Sequence, residues 1–164
     1  GVHAESMADL AAEPHIDVGQ IYRYFANKAA IIEGMIKRII DRRSEQMIDT
    51  SSSHHLPQLL AWRHVLNEDD EALMLEVAAE ATRNPRVALM MQEADTRIFD
   101  RACENVKQEY PGFSNEKIRS CVEVLAVLVE GTAYRRLTPQ KASAEMLYPL
   151  YQQIHQLLFH SEDS

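Results

Sequence analysis

Apolar residues in this chain recur at spacings of three and four and rarely alternate with polar ones, which predicts helices and no sheet. Ile32, Met35, Ile36, Ile39, Ile40 and Met47 form the stripe of a long helix from Lys28 to about Ile48. A helix follows from near Pro57 to Leu66, and another from about Asp69 to Arg83 turns Leu73, Met74, Val77, Ala78 and Ala81 inward. Asn84-Pro85 is a cap and first-turn pair opening a helix to about Tyr110, which Pro111-Gly112 ends. Ser114 caps a helix to about Leu137, and Thr138-Pro139 opens the last one, to about His160. Five glycines and six prolines in 164 residues fit this all-α reading.

Two short helices precede the long one. Ser6 and Asp9 form a capping box that opens a helix through Leu10, Ala11 and Ala12, and Pro14 disfavours the α conformation at Glu13. After a turn through His15 and Ile16, Asp17 and Gln20 mark a second start. Val18, Ile21 and Phe25 then share the apolar side, leaving Gly19, Gln20 and Arg23 outside with Tyr22 and Tyr24 at the edges. Short helix, turn, short helix is the pattern of a helix-turn-helix, whose second helix reads base edges in the major groove. Two short helices of an ordinary bundle would show the same periodicity.

The run from Ser6 to Ile32 resembles the DNA-binding segment of the TetR family of transcriptional regulators, and the resemblance extends over residues 1–48. Its most specific part is Gly19-Gln20-Ile21-Tyr22-Arg23-Tyr24-Phe25, with Lys28 three residues on and the aliphatic pair Ile31-Ile32. The resemblance implies DNA contacts at Val18, Gly19, Gln20, Tyr22, Arg23 and Tyr24, with Lys28 on a phosphate at the start of the next helix. It also implies a helix-turn-helix domain over residues 1–43, followed by an effector-binding and dimerisation domain over residues 44–164. The family has one more helix ahead of Gly1, so the working protein is expected to be longer than this chain.

The net charge of −8 bears on this only once it is divided. Residues 1–43 carry six basic and six acidic side chains, so the remainder supplies all of the −8. An acidic body discourages non-specific DNA binding and leaves affinity to a few placed contacts. No apolar run approaches a membrane span and no signal peptide is visible, so a cytoplasmic location is expected. Cys103 and Cys121 lack metal-like spacing and read as free thiols. His54-His55 has no third ligand at helical spacing, and no metal or cofactor is expected.

Trp62, Met74, Met90, Met91 and Phe99 are candidates for an adaptable apolar effector pocket, and core packing accounts for the same residues. The helix around Cys121–Val129 is apolar nearly all round, and the last helix carries Leu147, Leu150, Tyr151, Ile154, Leu157 and Leu158 on one stripe. Such surplus apolar surface predicts a homodimer built as a four-helix bundle from residues 114–137 and 138–160. The expected function is a DNA-binding regulator, a repressor of a palindromic operator released by a small, largely apolar effector. The alternatives are a dimeric ligand-binding module without DNA binding, or an enzyme. No His-Glu-x-x-His, Glu-x-x-His pair, Gly-x-Ser-x-Gly, phosphate-binding glycine loop or Cys-x-x-Cys is present to favour the last.

Overall fold

The computed structural model describes residues 18–49, 55–63 and 68–160, and every regular element among them is a helix. These are α1 (Val18–Asp49), α2 (Leu56–Trp62), α3 (Glu68–Ala81), α4 (Pro85–Glu109), α5 (Asn115–Arg135) and α6 (Ala144–Phe159). The first short helix expected from the sequence, opened by Ser6, lies outside the described residues.

Local chemistry marks most of the boundaries. Asn84 accepts a hydrogen bond from the Arg86 amide at 3.1 Å and Pro85 fills the first helical position, so α4 begins where the sequence predicts. Ser114 does the same for α5 through the Lys117 amide, also at 3.1 Å. Two ends fall elsewhere. Arg63 adopts the left-handed conformation, φ 56°, and its amide closes on the Leu59 carbonyl, so α2 stops well before Leu66. The last helix begins at Ala144 rather than at Pro139, because Ser143 supplies the capping hydroxyl to the Met146 amide at 3.2 Å.

α4 is the spine of the described fold. At its start Val87 joins Ile32 and Ile36 of α1 and Val77 of α3 in one buried cluster. At its end Val106 joins Phe113, Ile118, Cys121, Val122 and Phe159 in another. At about 1.5 Å per residue, nearly 30 Å of helix separates the two valines. The clusters therefore sit at opposite ends of the body, the first behind α1 and the second between α4, α5 and α6. α2 lies on α6, where the Trp62 and Tyr148 rings meet at 5.5 Å.

The junction between α2, α3 and the α5–α6 linker is polar. Arg136 forms an ion pair with buried Glu71 at 2.6 Å and donates to the Arg63 carbonyl, while Arg63 donates to the Arg135 carbonyl at 3.2 Å. Both cysteines are free thiols, and burial pushes each above its ordinary pKa, against the opposing influence of Arg119 on Cys103 and Lys117 on Cys121.

Candidate nucleic-acid interface

α1 is one continuous helix through the stretch where the sequence predicts a short helix after Asp17 and a separate long one from Lys28. Its inward side is built from Lys28, Ala29, Ile32, Ile36 and Ile39, all buried against α3 and α4. At about 100° per residue, Gln20, Arg23 and Asn27 project on the opposite side, and all three are exposed. Gly19 and Val18 are exposed as well, and Tyr24 is half-buried. Val18 shares the azimuth of Ile32 and Ile36 but stands 64% exposed among the described residues. The backbone of Tyr22 lies within α1, while its side chain, like those of Ile21 and Phe25, falls outside the described residues.

The outward side thus presents a carboxamide at Gln20, a guanidinium at Arg23 and a second carboxamide at Asn27 in successive turns. These are side chains suited to base edges and phosphates, and Gly19 permits close approach of the backbone. Further along, Lys37 and Arg38 are exposed and extend positive charge down the same helix.

Lys28 is placed differently from the expectation that it stands at a helix start and binds phosphate. It is only 5% exposed, and its ammonium donates to Glu80 Oε2 on α3 at 3.0 Å. The Arg83 guanidinium reaches the same oxygen at 3.0 Å. Burial alone would raise the Glu80 pKa, but the Lys28 hydrogen bond and charge, with Arg83 and Asn84 behind them, outweigh it and hold the carboxyl below its ordinary value. Lys28 therefore fastens the outer helix to the body from a position inside α1 rather than at that helix's start.

The five proposed pocket residues are not gathered into one place. Met90 and Met91 pack on the Ile32-Ile36-Val77-Val87 cluster, whereas Phe99 packs on the distant Val106-Phe113 cluster. The Arg119 guanidinium lies 5.1 Å from the Phe99 ring centre, Trp62 faces Tyr148, and Met74 is half-buried on α3. A cavity of about 360 Å³ opens instead among Pro57, Tyr110, Gln152, His155, Gln156, Phe159 and His160. None of these was singled out from the sequence. The available signal was the polar run of Gln152, Gln153, His155 and Gln156 in the second half of a largely apolar helix, of which 152, 155 and 156 share one side.

Residues 1–35 match the sequence profile of the bacterial regulatory proteins of the tetR family. That match makes the N-terminal segment of the chain similar to the TetR family. The chain's curated relatives include the HTH-type transcriptional regulator UidR of Escherichia coli strain K12 and that of Shigella flexneri. Each is 24% identical over 111 residues, a stretch that covers 65% of this chain and 57% of the relative. The profile match contains the first half of α1 up to Met35, so the exposed Gln20, Arg23 and Asn27 side lies within the matched stretch.

Proposed function

We propose that this chain is a TetR-family DNA-binding transcriptional regulator, a repressor that holds a palindromic operator as a homodimer and lets go when a small effector binds. The observation that carries the proposal is the outward side of α1, where Gln20 and Arg23 stand exposed inside the segment matched to the family. Val18, Gly19, Gln20, Tyr22, Arg23 and Tyr24 are the DNA-contacting positions, and Asn27 extends their side by one turn. Lys28 reaches a phosphate only if it leaves Glu80. In the reading adopted here it acts as a brace.

The dimer is proposed through α5 and α6. Val124, Val127 and Tyr134 project from the side of α5 opposite its buried Ile118, Cys121, Val122 and Ala133, and Met146, Leu150 and Leu157 form one stripe along α6. Leu157 is 80% exposed and Met146 68%, an apolar surface that a second copy of the same helices would cover. Such a dimer would set its two reading helices about one DNA turn apart, roughly 34 to 36 Å.

The test is an electrophoretic mobility shift on DNA flanking the protein's own coding region, with salt varied. A specific, salt-sensitive shift is expected. Arg23→Ala should weaken it and flatten its salt dependence by about one counterion, while Gln20→Ala should relax sequence preference by about 1 to 3 kcal/mol at one base pair. Absence of any specific shift from the dimeric protein, together with failure to recover a site from random DNA, would overturn the DNA-binding reading.

A further inference from the structure

α6 has two different sides. Met146, Leu150 and Leu157 fall within about 20° of one line along the helix, whereas Gln152, His155, Gln156 and Phe159 centre on the opposite side. The first side is the apolar stripe assigned above to a second copy. The second faces α2 and the end of α4 and forms most of the wall of the cavity of about 360 Å³.

That wall has a definite chemistry. The Tyr110 and Phe159 rings stack at 5.1 Å with 19° between their planes, and the buried His155 ring lies 4.8 Å from Phe159. Flat rings thus form one part of the boundary and favour a flat guest. Gln152 and Gln156, one turn apart, contribute a carboxamide each, and neither has a hydrogen-bond partner among the described residues. Each carboxamide offers a donor and an acceptor. The seven lining residues include no Asp, Glu, Lys or Arg. Lys117, which is not among the lining residues, donates to the His160 carbonyl at the rim at 3.1 Å and packs over the Phe113 ring. An ionic guest would lose hydration without a permanent counter-charge in the wall, so an uncharged one is favoured. The volume lies at the small end of the range for ligand sites, about 300 to 1,000 Å³, and suits one or two fused rings.

We propose that the cavity between α2, α4 and α6 binds a small, uncharged, planar ring compound that presents a donor and an acceptor side by side, as a cyclic amide does, to Gln152 and Gln156. Its regulatory meaning rests on the effector reading above, while its binding chemistry does not. The cavity sits against the helix that would carry the dimer stripe, so an occupant that shifts α6 would act directly on the spacing of the two reading helices.

The test uses isothermal titration of the full-length protein with 2-quinolinone, a neutral bicyclic lactam, and with quinoline-4-carboxylate, an anion of similar outline. Saturable binding of the lactam at one site per chain is expected, with the carboxylate at least ten times weaker. The double variant Gln152→Leu/Gln156→Leu should weaken the lactam about 25-fold, taking one lost hydrogen bond as about fivefold. If that variant does not fold, Gln156→Ala at its exposed position carries the expectation of about a fivefold loss. No saturable lactam binding, unchanged affinity in a folded variant, or preference for the carboxylate would overturn the proposal. Operator release is scored separately on the mobility shift: lactam binding that leaves the DNA complex intact would refute control through this cavity and leave the binding site standing.

Discussion

Two regions of the molecule reverse the usual distribution of side chains in opposite senses. Behind α1, a lysine and a glutamate are buried; along α5 and α6, valine, leucine, methionine and tyrosine face solvent. The buried charges are complete within one chain, because Lys28 and Arg83 both reach the Glu80 carboxylate at 3.0 Å. The exposed apolar stripe has no such completion among the described residues. A self-satisfied polar contact fixes one helix to its own body, whereas an uncovered apolar face specifies a partner. The comparison separates the part that would aim the reading helix from the part that would pair two such helices.

The contrast breaks most readily at Lys28. Lys28→Ala leaves Glu80 buried with the half-exposed Arg83 as its remaining cation and Asn84 as a hydrogen-bond partner, and should lower unfolding free energy by about 3 kcal/mol in chemical denaturation. The apolar pair Lys28→Met/Glu80→Leu should recover most of that loss. A loss under about 0.5 kcal/mol for Lys28→Ala, as at an ordinary surface site, would show that the contact is no brace.

At the other region, Val127→Glu and Leu157→Glu place a charge in the stripe. Each should raise the dimer dissociation constant at least about 100-fold, near 2.7 kcal/mol, in sedimentation equilibrium while helicity is unchanged. Dimers of unaltered affinity would move the interface away from α5 and α6.

A smaller effect distinguishes the two regions by pH. The Glu80 carboxyl is held below its ordinary value of 4.5, so it contributes stability above that value and loses it as pH falls through the lower folded-state value. Glu80→Gln should therefore flatten the acid limb of the stability curve, whereas Val127→Glu should not remove it. Superimposable acid limbs for wild type and Glu80→Gln would exclude this ionic contribution. Last in size, Ser143→Ala removes the α6 cap and should cost about 1 kcal/mol in thermal melts, a loss that Ser143→Asp should restore.

Caps and periodicity made most of the architecture legible in advance. Asn84-Pro85 and Ser114 announced α4 and α5 within the residues that hydrogen-bond at their starts. The resemblance to the TetR family was equally legible, since Gly19–Phe25 followed by Lys28 is a local pattern that the family match over residues 1–35 contains. Errors arose where two local signals competed. Pro139 and Ser143 can both begin a helix, and Ser143 does so because its hydroxyl reaches the Met146 amide. On the last helix, the stripe read from the sequence as dimer surface holds Leu150 and Leu157, which are exposed in the single chain, whereas the buried His155 and Phe159 on its other side were not singled out.

What the sequence determined by itself is the helical class, the capped starts and the outward side of α1, because each depends on residues within about one turn of one another. The tertiary structure alone decided the rest. Lys28 meets Glu80 across 52 positions, Tyr110 meets Phe159 near the chain's end, and Met90 and Phe99 go to separate cores although both lie on α4. Helical periodicity reports where a side chain points around its own axis. Which helix lies in that direction is set by packing of the whole chain, and there a lysine becomes a brace and a run of glutamines and histidines becomes the wall of a cavity.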